Sequence, residues 1–213
     1  MWNYLVFKSH YKLEMKSSLF LFLVSFLSIG VKSQVDYKIE KYLDENRIDS
    51  FIVYTFQCSD GMLLDSCQWD DPHYLFWKQS GNFFLKRFDY CKKFKTILLD
   101  TINPLTYYLK NKKLVDKEEI KMPTYYETRM IKNKVEKLTV TSQASHSCYY
   151  KFRLSRDPEY KYADSYNLNF KEFDNGKKNV YYNYNQNSKF KRLIDLTNTL
   201  LQLLEKNNKF ETE

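Results

Sequence analysis

The sequence predicts an α+β domain, an antiparallel sheet of about six or seven strands with an N-terminal helix and a long C-terminal amphipathic helix packed on one face. Three observations predict it. Runs rich in aromatic and β-branched residues recur, as in FIVYTFQC and HSCYYKFRL, and such runs fit the pleated surface of a sheet. Turn signals containing glycine separate pairs of them. The final stretch, SKFKRLIDLTNTLLQLLEKNN, instead repeats its leucines at helical spacing.

The chain opens on a segment that reads as an address. Behind Lys12 and Lys16 runs the apolar SSLFLFLVSFLSIG, Ser17 to Gly30, and Val31-Lys32-Ser33 follows with small residues at its first and last positions. That is the pattern of a secretory signal peptide, and its apolar core is shorter than the roughly 20 residues of a membrane span. Residues 1–33 are therefore expected to be removed, with Met15 an alternative start, and 34–213 to form a single secreted domain. Removal takes four of the 34 Lys/Arg and one of the 26 Asp/Glu, leaving a net charge of +5. The remaining charges are interspersed, which argues for a solvated surface and against a nucleic-acid stripe.

Within the domain, VDYKIEKYLDENRI (35–48) places Ile39, Tyr42 and Leu43 on one helical face behind Asp36. The next run, Phe51 to Cys58, is a strand. From His73 to Tyr90, two aromatic runs flank Gln79-Ser80-Gly81-Asn82, a hairpin signal. The apolar stretch KFKTILLD fits strand or helix. Asn103-Pro104 starts a helix over LTYYLKNKKL, with Asn as cap and Pro at the first position, and Asp116 starts a further turn. Residues Lys121 to Asn133 read as an exposed connection. In HSCYYKFRL, His146, Cys148, Tyr150, Phe152 and Leu154 form the inward set. Tyr166, Leu168 and Phe170 repeat that alternation before Asp174-Asn175-Gly176, so a second hairpin is expected there. In the last helix, Phe190, Leu193, Ile194, Leu196, Leu200, Leu201, Leu203 and Leu204 make the apolar face, opposite Lys191, Asp195, Asn198 and Gln202.

Candidate chemistry gathers in CSDGMLLDSCQWDDPHY, Cys58 to Tyr74. Asp60, Asp65, Asp70 and Asp71 are hard oxygen donors, and Trp69 and His73 stand beside them as a platform for a glycan or peptide. Their spacing departs from a calcium loop, so the stretch is expected to be a stapled surface turn without a metal, and the place where any binding residues would lie. Four cysteines in an exported chain, Cys58, Cys67, Cys91 and Cys148, favour two disulfides, Cys58 with Cys67 and Cys91 with Cys148. Only Gly61, Gly81 and Gly176 follow residue 33, so no phosphate-binding loop or nucleophile elbow can be written. No cofactor is expected. The reading is an exported bacterial protein of the periplasm or exterior, non-catalytic, binding an envelope protein, peptide or glycan. A small secreted hydrolase using carboxylates, or Cys148 with His146 or His73, is the alternative.

Overall fold

The computed structural model describes residues 34–58, 71–100, 103–156 and 159–213. The chain divides into two compact units, Met1–Tyr37 and Lys38–Glu213. Of the first, residues 34–37 are described, the opening turn of helix α1; the expected signal segment lies outside the described residues.

In chain order the elements are α1 (Gln34–Glu45), β1 (Phe51–Cys58), β2 (His73–Gln79), β3 (Asn82–Phe88), β4 (Ile97–Leu99), α2 (Pro104–Lys117), β5 (Thr124–Ile131), β6 (Lys134–Thr141), β7 (Cys148–Arg153), β8 (Tyr160–Asp164), α3 (Ser165–Asn169), α4 (Tyr182–Asn187) and α5 (Lys189–Lys206). Six strands form one sheet in the order β4, β3, β2, β1, β7, β8, while β5 and β6 pair only with each other in a second sheet. Every pairing is antiparallel. The α+β class therefore stands.

Local chemistry explains the boundaries that sequence located. Ser80 (φ 50°) and Gly81 (φ 84°) turn β2 into β3, closing on the pair Gln79 and Asn82. Both central residues sit in the left-handed region, the backbone of a tight hairpin whose twist matches its strands. Asn103 caps α2, accepting from the Thr106 N–H at 3.1 Å, with Pro104 in the first turn. Ser188 caps α5 in the same way through the Lys191 N–H at 3.0 Å, and Glu118 adds a second acceptor for the Phe190 N–H at 2.9 Å. These contacts satisfy donors that a helix start leaves orphaned.

The main core lies between one face of the sheet and helices α2 and α5. Ile52, Tyr54, Tyr74, Phe76, Leu85 and Phe152 come from the strands, and Leu105, Tyr108, Phe190, Leu193, Ile194 and Leu201 from the helices. Helix α1 takes the other face, which corrects the expectation that both terminal helices share one. Its Tyr42 ring stands 5.6 Å from Trp77 and 5.5 Å from Phe88, side chains that point away from Tyr74 and Phe76 because strands alternate. On the same face Arg153 is buried at 4% exposure, ion-paired with Glu40 and placed 5.4 Å over the Phe51 ring. The outer face of β7 is thus covered at Arg153, while Tyr149 and Lys151 of that face stay half-buried.

Three further expectations are corrected. Tyr166–Phe170 and VYYNYNQN do not make a hairpin around Asn175-Gly176. The turn itself forms, with the Gly176 N–H donating to the Phe173 carbonyl at 2.8 Å and a single bridge between Glu172 and Lys178, but its flanks are α3 and α4. Asp164 explains the first, since its carboxylate caps α3 by accepting from the Tyr166 N–H at 2.8 Å. Asp116 continues α2 instead of starting a new turn. Finally, the stripe of α5 is narrower than the leucine pattern: Phe190, Leu193, Ile194, Thr197 and Leu201 are buried, Leu203 is 53% exposed, and Asn198 faces the sheet, accepting from the Tyr54 hydroxyl at 2.5 Å.

Candidate functional site

Of the loop that drew attention in the sequence, Asp60, Asp65, Cys67, Trp69 and Asp70 lie outside the described residues. Its two ends are described. Asp71 and His73 stand at the entry to β2, where the His73 Nδ1–H donates to the Asp71 carbonyl at 3.1 Å, and His73 pairs with Thr55 on one side and Phe88 on the other. Cys58 ends β1 directly opposite Cys148 of β7, and the two are joined by a disulfide with Cα atoms 3.9 Å apart. This overturns both expected pairings, Cys58 with Cys67 and Cys91 with Cys148. The reason is register: β1 and β7 are far apart in sequence but neighbours in the sheet, which places these cysteines face to face. Cys91 is also disulfide-bonded. The Cys148 thiol is therefore committed, and His146, expected on the inward face, sits exposed in the bend before β7.

Two polar clusters invite a catalytic reading and explain themselves structurally. A shallow depression of about 230 Å³ is lined by Asp116, Leu154, Ser155, Glu159, Tyr160 and Lys161. Burial pushes the Lys161 ammonium below the ordinary lysine range, while nearby Asp116, Glu119 and Glu118 pull it back up. Its Nζ donates to the Glu118 carbonyl and, at 3.4 Å, to that of Asp116, and it lies 4.9 Å over the Phe190 ring. A cation on the last carbonyls of α2 is a helix C-cap. In the second cluster the Ser147 hydroxyl donates to the Asp164 carboxylate, which is already occupied as the cap of α3. Among the described residues no three His, Cys, Asp or Glu side chains group as metal ligands.

One extended exposed feature among the described residues was not expected from the sequence. The β5–β6 hairpin replaces the expected connection at Lys121 to Asn133. Its turn is Lys132 (φ 48°) and Asn133 (φ 60°), and without a glycine that turn sends no strong signal, although TYYETRMI and KVEKLTVT on either side have strand composition. Its base is anchored by two buried asparagines. The Asn179 side chain accepts from the Thr124 and Tyr181 N–H groups at 3.1 and 3.0 Å and donates to the Phe170 carbonyl at 3.0 Å. Asn185, fully buried, accepts from the Lys121 N–H at 2.9 Å and donates to the carbonyls of Lys121 and Asn167 at 2.8 and 3.0 Å. Tyr125 packs edge-on against Phe173 with centroids 4.6 Å apart.

Beyond that base the finger is bare, and residues 128–137 are all exposed. Met130 (74% exposed) and Val135 (71%) are opposite partners on one face; Ile131 pairs with Lys134 on the other. Within 128–137 the cations are Arg129, Lys132, Lys134 and Lys137, and the single carboxylate is Glu136. Arg129 holds Glu127 in a two-point ion pair at 3.1 and 3.3 Å, and with Lys177 it keeps that carboxyl below the usual range. Lys137 sits 4.1 Å over the Tyr126 ring.

No family model matches the chain, and no curated protein or solved structure is significantly similar to it.

Proposed function

We propose that the chain is an exported binding protein associated with a bacterial cell envelope, acting through an exposed surface and not through a catalytic pocket. The carrying observation is the β5–β6 finger, whose outer residues 128–137 are exposed on both faces. An isolated pair of strands is only marginally stable, and apolar side chains held in water at its end contribute nothing to the core. Such a feature is explained by something it touches. Export is supported by the Ser17–Gly30 signal pattern and by the Cys58–Cys148 disulfide, since disulfides persist in oxidising compartments. No helix among the described residues is long and apolar enough to cross a membrane.

Fractionation of the producing cells tests this reading, combined with the intact mass of the recovered protein after alkylation without reduction. The expected result is a chain beginning at Gln34 that takes up no alkylating agent and fractionates with the envelope or medium. A cytoplasmic chain with alkylated Cys58 and Cys148 would overturn it.

A further inference from the structure

We infer that the tip of the β5–β6 finger is a membrane-docking device, which seats Met130, Ile131 and Val135 in the headgroup and upper acyl region of an anionic lipid bilayer. The inference rests on the envelope-associated reading and names the partner of the same finger.

Charge is the first reason. Four cations against one carboxylate in residues 128–137 give a net charge of +3, or +2 once Glu127, the ion-pair partner of Arg129, is counted, and a surface that attracts them while accepting apolar side chains must be anionic outside and greasy beneath. A bilayer with anionic headgroups has that profile, and it attracts Lys and Arg side chains held near its surface. Free polyanions offer the charge without the apolar layer.

Shape is the second. Met130 and Val135 lie on one face of the hairpin and Ile131 on the other, with cations on both: Lys137 shares the face of Met130, and Arg129 and Lys134 that of Ile131. A rigid protein seated on one face would leave the apolar residue of the other in water. It would also have little to bury on so narrow an end, whereas stable protein interfaces take roughly 800 Å² from each partner. A deformable lipid interface closes around both faces at once.

Depth is the third. Met130 and Val135 stand two cross-strand pairs behind the turn, about 7 Å at roughly 3.3 Å per residue. That matches the roughly 5–10 Å to which interfacial segments bury their apolar side. The outer edges of β5 and β6 pair with no strand in either sheet, so their backbone groups need water or headgroups as partners, which stops the finger short of the hydrocarbon interior. Lys132 and Lys134, at the turn, have stems long enough to carry their ammonium groups back to the phosphates.

Co-sedimentation of the intact oxidised chain with vesicles tests the inference. The probes are phosphatidylcholine vesicles and vesicles of phosphatidylcholine mixed with phosphatidylglycerol. Binding is expected to the mixed vesicles, to weaken as salt is raised, and to be about ten-fold weaker on phosphatidylcholine alone. The variant M130S/I131S/V135S and the variant K132E/K134E/K137E are each expected to lose about ten-fold or more. Leu203→Ser, which removes an exposed apolar side chain from α5, is expected to change nothing. All substituted positions are exposed, so circular dichroism and the thermal midpoint should match the parent chain. No binding to mixed vesicles overturns the inference, as does binding that survives the triple serine variant. Competition by dextran sulfate combined with undiminished binding of that variant would reveal a general polyanion site and also overturn it. A cytoplasmic location would sink the export reading and leave the vesicle result standing; failed vesicle binding by an exported chain would sink only the lipid partner.

Discussion

Single residues carry much of what makes this fold specific, and the most consequential are polar groups placed inside it. Asn179 and Asn185 are buried at 5% and 0% exposure, and each satisfies three backbone groups at the ends of, or between, neighbouring elements. Nothing in the sequence marks them out, because an asparagine in a Lys- and Asn-rich chain looks like surface until the backbone around it is known. Tyr54 behaves similarly. It is 1% exposed, and desolvation, with lesser contributions from Tyr150 and Tyr74, pushes its phenol far above the ordinary range. Tyr74 is raised too, again chiefly by burial, against the opposing pull of Arg87. Folded, both keep their protons where the unfolded chain would lose them, near pH 10. The folded state then binds more protons, so their contribution to stability is fully present below about pH 10 and is lost as pH climbs above it. Urea midpoints measured from neutral to strongly alkaline pH should fall above that point. Tyr54→Phe should show a shallower decline, and an unchanged slope would remove Tyr54 as a cause. Lys161, whose ammonium is depressed, acts with the opposite sign, so the variant comparison isolates the tyrosine share.

At the level of elements, three reversals show when a turn can be read. Ser80-Gly81 was legible because glycine enters the left-handed region without steric cost. Asn175-Gly176 gave an equally strong signal and a turn, yet α3 and α4 flank it, since the Asp164 cap and the Asn185 contacts favour helix on either side. Lys132-Asn133 gave almost none and closes a hairpin of eight register pairs, from Thr124–Thr141 to Ile131–Lys134. A lysine at φ 48° is costly for an L-residue. Replacing the pair by Asn-Gly, as K132N/N133G, should therefore stabilise the finger by about 0.5–1 kcal/mol. Native-state hydrogen exchange should show this as slower exchange of β5 and β6 amides with little change elsewhere. Equal exchange in both proteins would mean that the hairpin's stability is set at its base, by Asn179 and Tyr125.

Across the whole molecule the disulfide is the clearest long-range constraint. Cys58 and Cys148 are separated by 90 positions, and closing so long a loop removes substantial entropy from the unfolded chain. The variant C58S/C148S should retain the fold, because the core between the sheet and α2 and α5 does not depend on it, while losing about 2–4 kcal/mol of unfolding free energy. Urea denaturation of the oxidised proteins measures this. A loss well below that range would mean that neighbouring constraints already restrict the same loop in the unfolded state. The expected pairing of Cys58 with Cys67 failed for a whole-molecule reason: proximity in sequence says little about which strands become neighbours.

By itself the sequence determined the α+β class, the Ser80-Gly81 hairpin, the Asn103 and Ser188 helix starts and the strand character of Phe51–Cys58 and Cys148–Arg153. All of these rest on local chemistry: side-chain period, caps and turn residues act within a few positions and leave their mark in composition. Tertiary structure alone decided the strand order, the placement of α1 on the face opposite α5, the partner of Cys58, the burial of Arg153 and Asn185, and the exposure of the β5–β6 finger. Each depends on which distant segments meet, and one face of a strand carries no label for what will cover it.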